Sequence, residues 1–207
     1  MRNTLHHMGK SGKSLLFIVS FLEGGTLMGF EVLSAKIYTP YLGASIYVWT
    51  SILTVTLIGL AAGYWLGGRM SLKDPRKSLT ISLAGAGLLV LASTFIANGT
   101  LPSLLSMDVK TAAIIAGFLI LFLPVLLMGT VSPLIIGALN QLNSKLSTAT
   151  GLIFGIGTFG GILFLLITVF GLIPTLGVQT SSFLLGALLL LAAGISTLVK
   201  ISPNEEE

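Results

Sequence analysis

The sequence predicts an all-α integral membrane protein of six transmembrane helices. Three observations predict it. Apolar residues make up 54% of the chain and charged residues 9%, against about 25% charged in a soluble domain. Mean hydropathy is +1.00, so polar side chains are too few to cover a water-facing surface. Apolar runs of about 20 residues recur between turn residues, the length a helix needs to cross about 30 Å of hydrocarbon. A β-barrel would show period-2 alternation in roughly ten-residue segments, and none is visible.

The elements follow in order. Residues 1–13 form a basic cytoplasmic leader with Arg2, Lys10 and Lys13. Its Gly9–Ser14 stretch echoes a phosphate loop, but it lacks the first glycine at the required spacing and follows no strand. The transmembrane domain, 14–199, opens with span 1 at about Ser14–Ile37. The first run carries no small-residue cleavage site and flows into a second span, so it reads as a retained helix. Pro40 and Gly43 then break the chain before span 2, about Ser45–Gly68. A basic loop with Arg69, Lys73, Arg76 and Lys77 leads to span 3, about Leu79–Ala97. Span 4, about Thr111–Leu139, is expected to kink at Pro124 and Pro133. Span 5, about Ala149–Ile173, is expected to stop at Pro174. A turn at Gly177 leads to span 6, about Val178–Val199. Residues 200–207 form a polar cytoplasmic tail ending in three glutamates.

Six spans place both termini on one side. With that side cytoplasmic, nine of the 11 basic residues lie inside and only Lys36 and Lys110 lie outside. The positive-inside rule therefore predicts a multi-pass protein of the inner (cytoplasmic) membrane. The chain has no cysteine, which removes disulfides, thiolate chemistry and cysteine metal sites. No cofactor, metal cluster or catalytic triad is expected. The net charge of +4 is spread among loops and does not form a nucleic-acid face.

Charges at membrane depth are costly and need a reason. Glu23, Glu31 and Lys36 all fall in span 1. The two carboxylates, eight residues apart, differ by roughly 80° on an ideal helix and can share one interior face. Three readings stand for Glu31: a helix-locking hydrogen bond to a hydroxyl or to the Pro40–Ser45 turn, a cation or proton site, or a position at a span boundary that lies elsewhere than drawn. Lys36 either pairs through a local distortion or snorkels outward. Tyr38, Tyr41, Tyr47 and Trp49 gather at the outer end. They form either an interfacial belt or a cation-attracting entrance. Gly59, Gly63 and Gly67 in span 2 and Gly157 and Gly161 in span 5 recur at four-residue spacing. That spacing suits close helix packing, self-association or a moving seam. The Pro40–Gly43 and Pro174–Gly177 turns share the pattern Pro-x-Leu-Gly, each followed within a few residues by a hydroxyl.

Several of these stretches together resemble the membrane domain of fused major-facilitator/spermidine-synthase-like proteins. They are Glu31 in Phe-Glu-Val-Leu, Pro40–Gly43, Ser45–Trp49, Gly63–Arg69, Leu126–Ile135 and Gly157–Gly177. The resemblance implies a six-helix, half-size bundle of major-facilitator type. It implies a half-size transporter; Glu31 and Glu23 would then bind a cationic solute such as a polyamine, or carry a proton, and a homodimer or a membrane partner would complete a twelve-helix carrier. It also implies association with a soluble aminopropyltransferase-like protein. No such domain is present in this chain, so no enzymatic activity is expected of it. The alternative is a non-transporting membrane scaffold for that separate enzyme.

Overall fold

The computed structural model describes residues 2–141 and 146–199, with side chains for 12–140 and 148–199. The tail 200–207 and Lys145 lie outside the described residues. The described residues are almost all helical, and no strand occurs among them. Helix α1 is Arg2–Leu42, α2 is Ile46–Met70 and α3 is Pro75–Thr100. A 3₁₀ turn, Leu101–Leu104, leads to α4, Val109–Gly117, and a π-helical turn, Phe118–Phe122, joins α4 to α5, Leu123–Gln141. Helix α6, Leu146–Ile167, passes through a second π turn, Thr168–Leu172, into α7, Ile173–Thr197. Five continuous helical stretches are long and apolar enough to cross a membrane.

Helix starts follow their side chains. Ser45 accepts from the Val48 N–H, Asp74 from the Lys77 N–H and Asp108 from the Thr111 N–H. Each satisfies an amide that the first turn leaves unpaired. Two helix breaks fall at glycine. Gly43 and Gly177 have φ of 73° and 78°, a region that side chains with a Cβ rarely enter.

This corrects the expectation for the prolines. Pro40 does not stop span 1: α1 continues to Leu42, and the Gly43 N–H closes the helix on the Thr39 carbonyl at 3.0 Å. Nor does Pro174 end span 5, since helix continues past it to the break at Gly177. Both π turns end two residues before a proline, Pro124 and Pro174. A proline cannot donate to the carbonyl four residues back and its ring crowds that carbonyl, and a wider turn relieves the clash. Pro133 instead sits inside an uninterrupted α5.

Glycines set the packing. A Cβ on Gly24 would strike the Gly157 carbonyl, one on Gly160 the Phe21 carbonyl, and one on Gly161 would lie 2.8 Å from Met28 Cγ. Ser20 Oγ donates to the Ile153 carbonyl at 2.9 Å in the same seam. These contacts advance in step, so α1 and α6 run parallel. Gly59, Gly63 and Gly67 meet Val125, Leu126 and Thr130, so α2 and α5 are parallel too. The α3–α7 seam runs the other way. Thr80 meets Ser196 at 2.7 Å, Gly87 faces Gly186, and Ser93 meets Ser182 at 2.8 Å. Along α1, Gly29 faces Leu185, whereas Lys36, further on, shares a cavity with Gln179. Helix α7 is thus antiparallel to α1, and the chain reverses at Gly177. Without a hydrophobic drive between helices in lipid, close approach and buried hydroxyl bonds hold such seams together.

Candidate functional site

Glu23 is the acidic group placed at a cavity. Its side chain is 5% exposed and lies near the middle of the apolar stretch Gly12–Leu42. Beside it is a cavity of about 250 Å³ between α1, α2, α5 and α6. Gly24, Gly157 and Gly161 form part of its wall, with Leu27, Leu60, Ile153 and Leu165. The polar side chains on the wall besides Glu23 are Tyr64, Ser132 and Thr158. Tyr64 and Glu23 line the same cavity. No described residue gives Glu23 a hydrogen bond or an ion pair. The helices expose this space because glycines replace side chains where α6 meets α1. A carboxyl in an apolar cavity can take up a proton or hold a cation that brings its own donors.

Glu31 is placed differently. It is 8% exposed and does not line that cavity. Its polar neighbour is Thr56 on α2, whose buried Oγ1 has no hydrogen-bond partner. The Glu31 carboxyl makes no hydrogen bond to the Pro40–Ser45 turn either. The two carboxylates therefore occupy separate environments on one helix.

The aromatic residues around the Gly43 turn do not converge. Tyr38 is removed from any entrance: it is 0% exposed and donates to the Ala116 carbonyl at 3.1 Å. It continues the buried stripe of Phe30 and Ser34, at four-residue steps along α1. Tyr41 is half-buried and donates to Asn98 Oδ1 at 3.0 Å. Tyr47 and Trp49 are exposed, and the Lys110 ammonium lies 5.0 Å over the Tyr47 ring. Lys36 is exposed on α1 and lines a different, smaller cavity. At the opposite end of α2, Arg69 stacks 3.7 Å over Trp65.

The glycines picked out by spacing all lie in helix seams. Gly59, Gly63 and Gly67 face α5, while Gly157 and Gly161 face α1. Ser132, Tyr64 and Thr158 were not singled out as site residues from sequence. The signals available were weak: a hydroxyl before Pro133, and a tyrosine near the inner end of span 2. Among the described residues, no group of three or more His, Asp or Glu side chains could hold a metal ion.

No family model, curated protein or solved structure matches this chain.

Proposed function

We propose that this chain is a half-size membrane transporter of a cationic solute, such as a polyamine, with Glu23 as its charge-selecting group. The reading rests on one observation: a buried carboxyl without a described partner, within the apolar stretch Gly12–Leu42 and beside a cavity of about 250 Å³. Such a group is a functional site by default, because hydrocarbon penalises it and nothing structural repays the penalty. A drug-sized ligand needs about 300–1,000 Å³, so one subunit's cavity suits a small amine or part of a longer one.

The crossing number follows from length. The stretch Thr148–Thr197 has 50 residues, about 75 Å of helix at about 1.5 Å per residue. That is more than twice the hydrocarbon core. With reversal at Gly177 the stretch makes two crossings, and the chain makes six. Both termini would then lie on one side, and the basic loops support the cytoplasmic side for it. A homodimer would supply twelve crossings, as in carriers built from two parallel halves. The resemblance to the membrane domain of spermidine-synthase-like proteins agrees with a polyamine-sized cation.

The test is uptake of radiolabelled putrescine and spermidine into proteoliposomes, with and without a pH gradient. Glu23→Gln is expected to cut initial uptake at least tenfold while the protein reconstitutes normally. Glu31→Gln is expected to cost less. Wild-type uptake in Glu23→Gln would sink the assignment of Glu23.

One observation favours a scaffold for a separate aminopropyltransferase-like enzyme as the second reading. Leu72, in the α2–α3 loop, is 85% exposed beside the exposed Lys73 and Lys77. A soluble protein recovered with the chain from native membranes, and lost on Leu72→Ser, would support that reading.

A further inference from the structure

The Glu23 cavity offers a ligand one charge. Its wall carries a single carboxyl, and no lysine, arginine or second acid lines it. The other acids with described side chains lie elsewhere. Glu31 is off the wall, and Asp74 and Asp108 cap α3 and α4. The Glu23 carboxyl also keeps open surface. Five buried hydroxyls without partners, those of Thr26, Ser51, Thr56, Thr94 and Thr168, are sealed by packing. The Glu23 oxygens have no described partner either, but they are not sealed, and the side chain lies on the cavity wall.

The rest of the wall is neutral. Tyr64, Ser132 and Thr158 add hydroxyl-bearing side chains, while Leu27, Met28, Leu60, Phe154, Ile162 and Leu165 add apolar surface. Tyr64, Phe154 and Ile162 are also exposed on the outside of the bundle, so the space opens between α2 and α6. Its volume is about 250 Å³. That holds an ammonium and about seven methylenes, if each takes about the 30 Å³ share of a water.

One carboxyl neutralises one ammonium. A second ammonium on the same molecule would sit against leucine and phenylalanine without a counter-charge, which is strongly disfavoured. A diamine therefore enters by one end and leaves the other at the mouth. An apolar body in the same place gains from every methylene that leaves water.

We propose that this site selects amphiphilic monoamines, with one ammonium on Glu23 and an apolar body of about six or seven carbons against α2 and α6. The proposal rests on the reading of Glu23 as the charge-selecting group and narrows it from cations in general to singly charged ones.

The experiment uses the full chain in phosphatidylcholine nanodiscs. Binding of radiolabelled hexylamine is measured, with empty nanodiscs subtracted. Unlabelled ethylamine, butylamine, hexylamine, hexamethylenediamine, spermidine and hexanol then compete. Affinity is expected to rise from ethylamine to hexylamine by up to about fourfold per methylene. Hexamethylenediamine, of the same length, is expected to bind at least tenfold more weakly than hexylamine, and hexanol is expected not to compete. This comparison needs no variant. Hexylamine binding is expected to fall at least tenfold in Glu23→Gln, to persist in Glu23→Asp and to be unchanged in Glu31→Gln. The thermal midpoint of Glu23→Gln is expected to match or exceed wild type, which separates lost binding from lost fold. A diamine or spermidine that binds as tightly as hexylamine, and is lost in Glu23→Gln, overturns single-charge selection and leaves the cation-transporter reading standing. No amine binding, or binding unchanged in Glu23→Gln, overturns both.

Discussion

Substituting Gly67 by alanine tests whether glycine contact holds α2 against α5. A Cβ at Gly67 would lie 2.6 Å from the Thr130 carbonyl oxygen and 2.7 Å from its Cα. Both are backbone atoms and cannot rotate away. Restoring an ordinary 3.4 Å contact requires the helices to part by about 0.8 Å. Overpacking of this kind costs about 1–3 kcal/mol. The displaced residue also matters, because Thr130 Oγ1 donates to Ser82 Oγ at 2.8 Å and links α5 to α3. Gly68 is the internal control. It is the next residue, it is helical, and a Cβ there meets nothing within 4 Å. Gly68→Ala should gain about 0.5–1 kcal/mol from reduced backbone freedom. The two variants differ from wild type by the same methyl group but should move stability in opposite directions. Thermal unfolding in mild detergent, followed by tryptophan fluorescence, reads the difference. At about 2–4 °C per kcal/mol for a chain of this size, the two midpoints should differ by roughly 3–16 °C. Equal midpoints would refute the seam as a close contact.

Two further substitutions probe single interactions. Tyr38→Phe removes the buried bond to the Ala116 carbonyl and should cost about 0.5–1.5 kcal/mol, read as a lower thermal midpoint; an unchanged midpoint would contradict that bond between α1 and α4. Asp108 lies just outside the apolar stretch, and the Thr111 hydroxyl and backbone N–H hold its carboxyl below the usual carboxylate range. Its stabilising contribution is therefore complete above the unfolded value of about 3.9 and is lost as pH falls through the lower folded value. Asp108→Asn, which can still cap α4, should flatten that acid limb, and identical limbs would contradict the cap.

The fold's outline was legible because hydropathy, caps and basic loops are local properties. Ser45, Asp74 and Asp108 mark helix starts by side-chain chemistry alone. The prolines misled because a rule about one missing N–H ignores its surroundings. Near a helix end the lost bond costs little, and a π turn upstream absorbs the clash. Tyr38 was legible: its four-residue steps from Phe30 and Ser34 place it on the buried stripe, although its sequence neighbours are the half-buried Tyr41 and the exposed Tyr47. The difference between Glu23 and Glu31 was not legible. Helix phase puts them roughly 80° apart, but phase does not say which neighbour covers each face. Glu31 turns toward Thr56 on α2. Glu23 turns toward α6, where Gly157 and Gly161 leave space. Cavities come from what a partner helix lacks, and that depends on the seam.

The shared Pro-x-Leu-Gly pattern has geometric consequences. Pro40 and Pro174 are 134 residues apart, as are Gly43 and Gly177. The seam between α1 and α6 has almost the same offset: Ser20 bonds the Ile153 carbonyl, 133 residues away, and Gly24 abuts Gly157. Two parallel helices packed at that register reach their terminal glycines at the same height. The chain therefore turns twice at one level, once through Gly43 into α2 and once through Gly177 into the later part of α7. Each turn requires a positive φ that glycine provides without a Cβ clash. A one-turn slip of α6 against α1 would separate the turns by about 5.4 Å. It would also pull Gln179 away from Lys36 and press side chains into the Gly157 and Gly161 wall. The glycine register thus fixes both cavities at once, the carboxyl-bearing one at mid-helix and the lysine-bearing one at the turns.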